Sequence, residues 1–421
     1  GIIIAVMVVL SQQSSKPESN KGISTNRSYE SCSDLDPTME FSDIAYYDAV
    51  MEELGVNDAP SSVSACTYVN EALFFVTQDY NRLTPQSRSN RFVLAALFQS
   101  TEGTEWIQST GWMTSEPECD WYGITCSSDG KVTEINIASI LVMGSLPDEI
   151  GRLTSLQHLI VSGNMLSGSL PSTLQDLTSL VHIDARDNEL EGDPLASFLT
   201  KMTWLDHLDL WENRFWGSIP SAIGDMTALT ALSLCGNELT GEIPASLGDL
   251  SNLRRLQLGG NNHEGTLPDS LYRLSKLETF YIAPSAMTGT LSTELGRLTN
   301  LETLSIQGFA YTGTIPSEIG LLTNLDSLQF SGISELTGTI PAAITRLSKL
   351  TFFDLEHTAL SGTLPIAICT AFMGSKSKIL APCTLDCNDC CEQRNCMNPN
   401  PNDRAPKPED SKKDIFGITG H

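Results

Sequence analysis

Positive charge is scarce in this chain. Its 421 residues hold 25 Lys and Arg against 51 Asp and Glu, a formal net charge of −26. There is no long basic run, which argues against nucleic acid as a partner, because phosphate recognition needs clustered Lys and Arg. Long apolar runs are missing too. The apolar stretch 2–10 is too short to cross a bilayer by itself, which takes roughly 20 residues. Catalytic signatures are absent: there is no G-x-S-x-G motif, no kinase Gly-rich loop and no catalytic-loop or metal-binding Asp motif. The chain is therefore read as a non-enzyme with no cofactor. What is present is apolar content of 40%, enough for a buried core.

Cysteine is abundant and uneven. Of 11 in the chain, Cys119 and Cys126 lie close together, and Cys369, Cys383, Cys387, Cys390, Cys391 and Cys396 crowd the C-terminal side. Clusters at the two ends of an apolar array point to disulfide-locked caps and an oxidising compartment. Zinc is the competing reading of "CTLDCNDCC", although no His lies near it and the spacing fits no common zinc module. An odd count leaves one thiol over. The chain starts with Gly rather than Met, and an upstream continuation of residues 2–10 would complete a membrane helix. That segment is read as part of a single-pass signal anchor, with secretion as the alternative. "NRS" makes Asn26 a glycosylation acceptor in an exposed linker.

A repeat dominates the rest. The unit 229–252, "LTALSLCGNELTGEIPASLGDLSN", recurs from positions 132, 156, 180, 205, 229, 253, 277, 301, 325 and 350, with one extra residue in the units starting at 180 and 325. All ten units carry Gly at one place, and eight of ten follow it two residues later with Ile-Pro or Leu-Pro. The third unit has a shifted Pro194, and the seventh has Ser292 in place of Pro. Leu232 and Leu234 alternate as a strand with one buried face requires. Asn237 turns inward to satisfy backbone groups of the bend, Gly241 permits a tight turn, and Pro244 ends strand pairing. One unit cannot bury this face alone, so neighbours must stack. The Asn recurs as Asn164, Asn188, Asn213, Asn237 and Asn261. It is replaced later by Ser285, Phe309, Ile333 and Thr358, which predicts looser or differently shaped turns in the second half.

This pattern resembles the plant-type leucine-rich repeat, L-x-x-L-x-L-x-x-N-x-L-x-G-x-I-P. The resemblance implies an α/β solenoid: a right-handed superhelix whose parallel β-sheet lines the concave side, with a helical N-terminal cap and a Cys-rich C-terminal cap. Ten strands at about 4.8 Å would give an inner sheet roughly 45 Å long. "CDWYGITC" (119–126) resembles the family's N-terminal cap, which implies a Cys119–Cys126 disulfide and Trp121 lying over the first repeat. Helix-like stretches upstream, roughly 41–54, 62–79 and 86–99, belong to that cap. The block 91–126 and the ending "CTLDCNDCC" are also similar to leucine-rich-repeat membrane proteins of diatoms. The expected organisation is anchor segment 1–10, linker 11–40, N-terminal cap 41–131, ten repeats over 132–368, Cys-rich cap 369–396 and a flexible, Pro-rich tail 397–421.

The frame then places "HIDARDN" and "HLDLWEN". Positions three, five, seven and eight of each unit face the concave side. His158, His182 and His207 form a ladder at position three, Asp184 and Asp209 stand at five, Arg186 and Trp211 at seven, Asp187 and Glu212 at eight. Three readings stay open. One is a solvated face with no ligand. The second is a ligand patch centred on an exposed Trp211 amid charges, the composition of an interface hot spot or a sugar platform. The third is a metal or pH-sensing cluster, since imidazole ligates Zn or Cu and titrates near neutrality. The ligand-binding set is thus His158, His182, Asp184, Arg186, His207, Asp209, Trp211 and Glu212. Cys235 at position seven of the next strand is the candidate unpaired thiol or simply a small half-buried side chain; Tyr281, Gln307 and Gln329 are mild polar contacts further on.

By resemblance to plant receptor ectodomains, the expected task is recognition of a peptide, protein or glycan outside the cell, with signalling left to a partner co-receptor. The rival is a structural or adhesive surface protein, or an inhibitor of wall-degrading hydrolases.

Overall fold

The structure, a computed structural model, describes residues 46–56, 67–282, 286–308, 310–372, 378–387 and 391. The expected anchor segment, Asn26 and the C-terminal tail lie outside them, as do Ser285 and Phe309. Among the described residues no helix is long and apolar enough to cross a membrane.

The period of the sequence becomes the period of the structure. In the unit 229–252, Leu229, Leu232, Leu234, Leu239, Leu247 and Leu250 are all sealed from solvent, at 1% exposure or less. The strand Ala231–Ser233 lies between His207–Asp209 and Arg255–Gln257, parallel to both, with Leu232 level with Leu208 and Leu256. Like positions of successive repeats therefore sit side by side, and each Leu stacks on its counterpart. After each strand the chain bends through the repeat Gly, whose φ in the ten units runs from +72° to +131°. It then returns through a one-turn 3-10 helix such as Ala245–Asp249, entered from Pro244. Stacking these units yields one inner sheet and one apolar core that runs unbroken from Tyr47 to Cys387.

Among the described residues the inner sheet has twelve strands where the repeat frame gives ten. Ile124–Cys126 adds antiparallel at one end, against Val132–Asn136, and Lys378–Leu380 adds parallel at the other, against Phe352–Asp354. Neither carries the repeat signature, so the frame does not reveal them.

The Asn ladder behaves as its chemistry requires. The Asn237 carbonyl accepts from the Phe215 N–H of the preceding unit, and its amide donates to the Leu210, Leu234 and Cys235 carbonyls. Asn164, Asn188, Asn213 and Asn261 repeat this pattern. Among the described residues a second, outer sheet of six strands runs from Met143–Gly144 to Asn262–Glu264. A separate three-stranded sheet resumes with Thr288–Thr290. The change falls between the unit of the last ladder Asn, Asn261, and the next, and the Thr288 N–H still donates to the Gly265 carbonyl at 2.8 Å. Of the replacements, Ile333 is simply buried, and Thr358 keeps one bond, its hydroxyl donating to the Leu355 carbonyl.

Helices Tyr47–Leu54, Tyr68–Gln78 and Pro85–Ser100 precede the array. Thr84 caps the third by accepting from the Ser87 N–H, and Pro85 starts it. Its buried run, Asn90 to Phe98, packs on the first repeat, and the Ser145 N–H donates to the Ser100 carbonyl. Trp121 is 1% exposed at this junction. Cys119 and Cys126 are disulfide-bonded. Gly123 between them has φ +75°, and a Cβ there would stand 2.1 Å from the Asn136 carbonyl oxygen. At the far end Cys387 and Cys391 are bonded, and Cys369 and Cys383 are likewise in disulfides. Oxidised sulfur cannot serve as a zinc thiolate, so the zinc reading of "CTLDCNDCC" fails for Cys383, Cys387 and Cys391.

Candidate functional site

Position three of successive strands brings His158, His182 and His207 level with one another. Strand spacing stacks their rings: centroids are 5.7 Å and 4.9 Å apart, with interplanar angles of 30° and 5°. Asp184 and Asp209 share the adjacent row. Both have a structural duty that the sequence reading missed. Each accepts a hydrogen bond from the backbone N–H two residues on, Arg186 at 3.3 Å and Trp211 at 3.1 Å, which holds the chain as it enters the turn. Asp354 does the same for Glu356 in the tenth unit. Asp184, only 9% exposed, also accepts from the Ser162 hydroxyl.

Arg186 spans the two carboxylates, 3.6 Å from Asp184 and 3.7 Å from Asp209, and keeps about half its surface in water. It neutralises part of an acidic row and still presents donors to solvent. Asp209 is nonetheless pushed above the usual carboxylate range, first by burial and also by Asp184, against the pull of the Trp211 N–H and Arg186. Glu212 occupies the turn at φ +51°, a conformation that non-glycine side chains rarely adopt. The equivalent places in the next two units are Gly236 and Gly260.

Two expectations are corrected. Trp211 is half-buried, not exposed. Cys235 is free, as expected of the odd thiol, but it is 5% exposed and not half-buried. Burial pushes its thiol well up, so it is a poor nucleophile. Further along, Ser305, Gln307 and Gln329 bond to one another instead of facing outward as open contacts: the Gln307 amide donates to the Ser305 hydroxyl and to the Gln329 carbonyl oxygen, each at 3.0 Å.

The imidazoles are stacked face to face, an arrangement that does not converge on a common point. Among the described residues no group of three or more His, Cys, Asp or Glu could hold a metal ion. The ladder's pH response does acquire a sign. Burial first, then His207, lower the His182 pKa below 6.5, with Asp184 opposing. In the unfolded chain this imidazole titrates near its ordinary value, so the unfolded state binds the proton more readily. The stability that the neutral ring contributes is complete above pH about 6.5 and is lost as pH falls below it. Urea denaturation at pH 7 and pH 5 should therefore show a larger acid loss for the natural chain than for His182→Asn. Identical losses would show that His182 is not coupled to folding.

Sequence reasoning overlooked Trp216, which is 54% exposed on the outer-sheet strand Arg214–Ser218. The frame assigned that strand no function, and one available signal was a Trp where eight of the other nine units carry Ser, Thr or Glu and the first carries Met143.

Comparisons with known proteins fit this architecture. Residues 203–263 match the family model "Leucine rich repeat" and 155–177 match "Leucine Rich Repeat". A probable leucine-rich repeat receptor-like protein kinase of Arabidopsis thaliana is 40% identical over 62 residues, 14% of this chain and 7% of that protein. The chain thus spans a small fraction of this curated relative. Among solved structures, the Arabidopsis receptor kinase HAESA, in complex with the peptide hormone IDA and the co-receptor SERK1, superposes with a TM-score of 0.54 at 29% identity. The match covers 59% of this chain and 42% of that one. A plant ice-binding protein superposes with a TM-score of 0.57 at 22% identity, covering 73% of this chain and 98% of that one, a likeness of fold alone. The repeat array is a plant-type leucine-rich-repeat solenoid of the kind found in receptor-like ectodomains.

Proposed function

We propose that this leucine-rich-repeat chain, receptor-like in its array, is an extracellular recognition protein, membrane-tethered or secreted, that binds a peptide through its concave face. The observation that carries the reading is the Arg186 guanidinium. It lies across Asp184 and Asp209 beside the His158–His182–His207 stack, in a fixed surface spanning three consecutive strands. Such a surface offers donors, carboxylates and aromatic faces without an ordering cost on the protein side. Trp211 and Glu212 flank it and supply the apolar and acidic margins. The disulfides support a site outside the cytoplasm. The HAESA ectodomain, which holds a peptide hormone together with a co-receptor, supports a peptide ligand and a co-receptor for this chain as well. Fold resemblance does not fix the ligand; the patch is what points to one.

One observation favours a second, adhesive role. Thr288, Thr290, Thr312, Thr314, Thr337 and Thr339 are all exposed on the outer side of the later repeats, a regular, uncharged row suited to an extended polymer.

Both readings meet in one experiment. The oxidised chain is crosslinked to surface extracts of the source cells beside an Arg186→Ala, Trp211→Ala variant of unchanged circular dichroism and melting. Hot-spot truncation should weaken capture of a discrete partner by at least about tenfold. Equal capture by both proteins would remove the concave patch from consideration. Retention on wall material alone, unaffected by the variant, would favour adhesion.

A further inference from the structure

The third repeat breaks the pattern of its neighbours. Where eight of the other nine units make one 3-10 turn on the return, this one makes a short helix Pro194–Ser197 followed by the turn Leu199–Lys201. Asp193 directs the change, its carboxylate accepting from the Ala196 N–H at 3.1 Å. The displaced chain leaves a cleft of about 410 Å³ on the outer flank of the solenoid. Phe198 and Pro171, both buried, form apolar wall, and the half-exposed indole of Trp216 forms another. Asp148, Glu191 and Asp193 bring three carboxylates, and among the described residues no Lys or Arg lines the cleft.

The position of Asp193 is fixed against the aromatic strand. A Cβ on Gly217, the residue after Trp216, would come within 2.5 Å of the Asp193 Oδ2. Asp193 and Trp216 line the same cleft. Glu238 lies level with Trp216 on the neighbouring strand. The nearest cation by register is Arg214, level with Glu191, and it is already paired with Glu189 at 3.2 Å.

We propose that this cleft is a second binding site, separate from the concave face, and that it takes the Lys or Arg side chain of a basic segment of a partner protein. The indole face attracts a cation, and the surrounding carboxylates complete its neutralisation. A neutral saccharide would use the ring but leave three carboxylates without opposite charge. The chain's net charge of −26 draws cationic partners to the same surface. The site does not depend on the concave reading, and either can fail without the other.

The full oxidised chain is titrated with the peptide Gly-Gly-Arg-Gly-Gly and with its citrulline counterpart, which keeps the shape and loses the charge. Indole NMR and calorimetry report binding. The Arg peptide should bind saturably, on the order of millimolar, and shift the Trp216 indole resonance, while the citrulline peptide should not. Trp216→Ala and Glu191→Gln should each weaken it by about tenfold. Glu302→Gln removes the same charge from an exposed site on the inner sheet's border and should leave it unchanged. Both cleft substitutions are at exposed side chains, so folding is retained. Equal binding by all four proteins would reduce the effect to general electrostatics and overturn the proposal. So would equal binding of the citrulline peptide, or a Trp216 shift produced by a cellulose oligosaccharide and not by the Arg peptide.

Discussion

Replacing Glu118 by Ala should destabilise the chain by about 3–5 kcal/mol, because it leaves a buried guanidinium without its counter-charge. Arg91 and Glu118 are 3% and 6% exposed along their side chains and meet at 3.2 Å. Glu118 also accepts from the Ser87 hydroxyl and the Asn90 amide. Arg91 spends its remaining donors on the Thr114 and Glu116 carbonyls, and its charge lies 5.6 Å from the centre of the Trp121 ring. The pair therefore ties the helix Pro85–Ser100 to the Cys119–Cys126 loop and seals the first repeat. A cavity of about 240 Å³ lined by both side chains gives water some access, which places the expected loss toward the low end of the range. Urea unfolding of the Ala variant gives the value. Glu118→Gln, which keeps the acceptor but not the charge, should lose less. A double Arg91→Met, Glu118→Leu variant should recover most of the loss, because it removes the orphaned charge along with its partner. A loss below about 1 kcal/mol in the Ala variant would mean that the pair is solvated in solution and the cap is held by its apolar core alone.

That pair shows where a sequence can be read and where it cannot. The array is legible because it repeats: ten copies of Leu and Gly at fixed offsets, five of them with the Asn, leave one arrangement in which each Leu stacks on its counterpart. The register that follows puts His158, His182 and His207 in one row from the sequence alone. Arg91 and Glu118 have no such copies. They are 27 residues apart in segments without periodicity, and nothing local marks them as partners. The duty of Asp184 and Asp209 was hidden for another reason. A carboxylate that holds its own turn and one that waits for a ligand look alike in a sequence, and only the N–H two residues on tells them apart. His263 is a third case. It occupies a leucine position of the repeat, 1% exposed, with its Nδ1 3.3 Å from the Gly241 carbonyl, and pattern matching passes over a core histidine. Trp216 was missed because the outer strand was treated as the featureless return of each unit. The irregular third repeat, visible as the shifted Pro194, was the signal that something there had been displaced.

Replacing Asn213 by Ala should cost about 3 kcal/mol, more than the same change at Asn188. The Asn213 carbonyl accepts from the Leu190 N–H at 3.0 Å. Its amide serves the Ala185, Leu210 and Trp211 carbonyls at 2.9, 3.2 and 3.3 Å. The residue is 8% exposed, so water has little access to replace those bonds, and each group left unpaired in the interior carries its own desolvation penalty. Asn188 makes the corresponding set, with its carbonyl accepting from Leu166 and its amide serving Val161, Ala185 and Arg186. It is less deeply buried, and water can take over part of its role. The two variants share chemistry and position in the repeat and differ in burial, so the comparison isolates desolvation from bond count. Hydrogen exchange should show the Leu190 amide losing protection in Asn213→Ala while amides two units away keep theirs, since each unit touches only its neighbours. The turn that Asn213 anchors also carries Trp211 and Glu212, so the same variant should loosen the margin of the concave patch without touching Arg186 or the histidine stack. Equal losses at the two asparagines would mean that the ladder's worth lies in its bond count and not in the dryness of the interior around it.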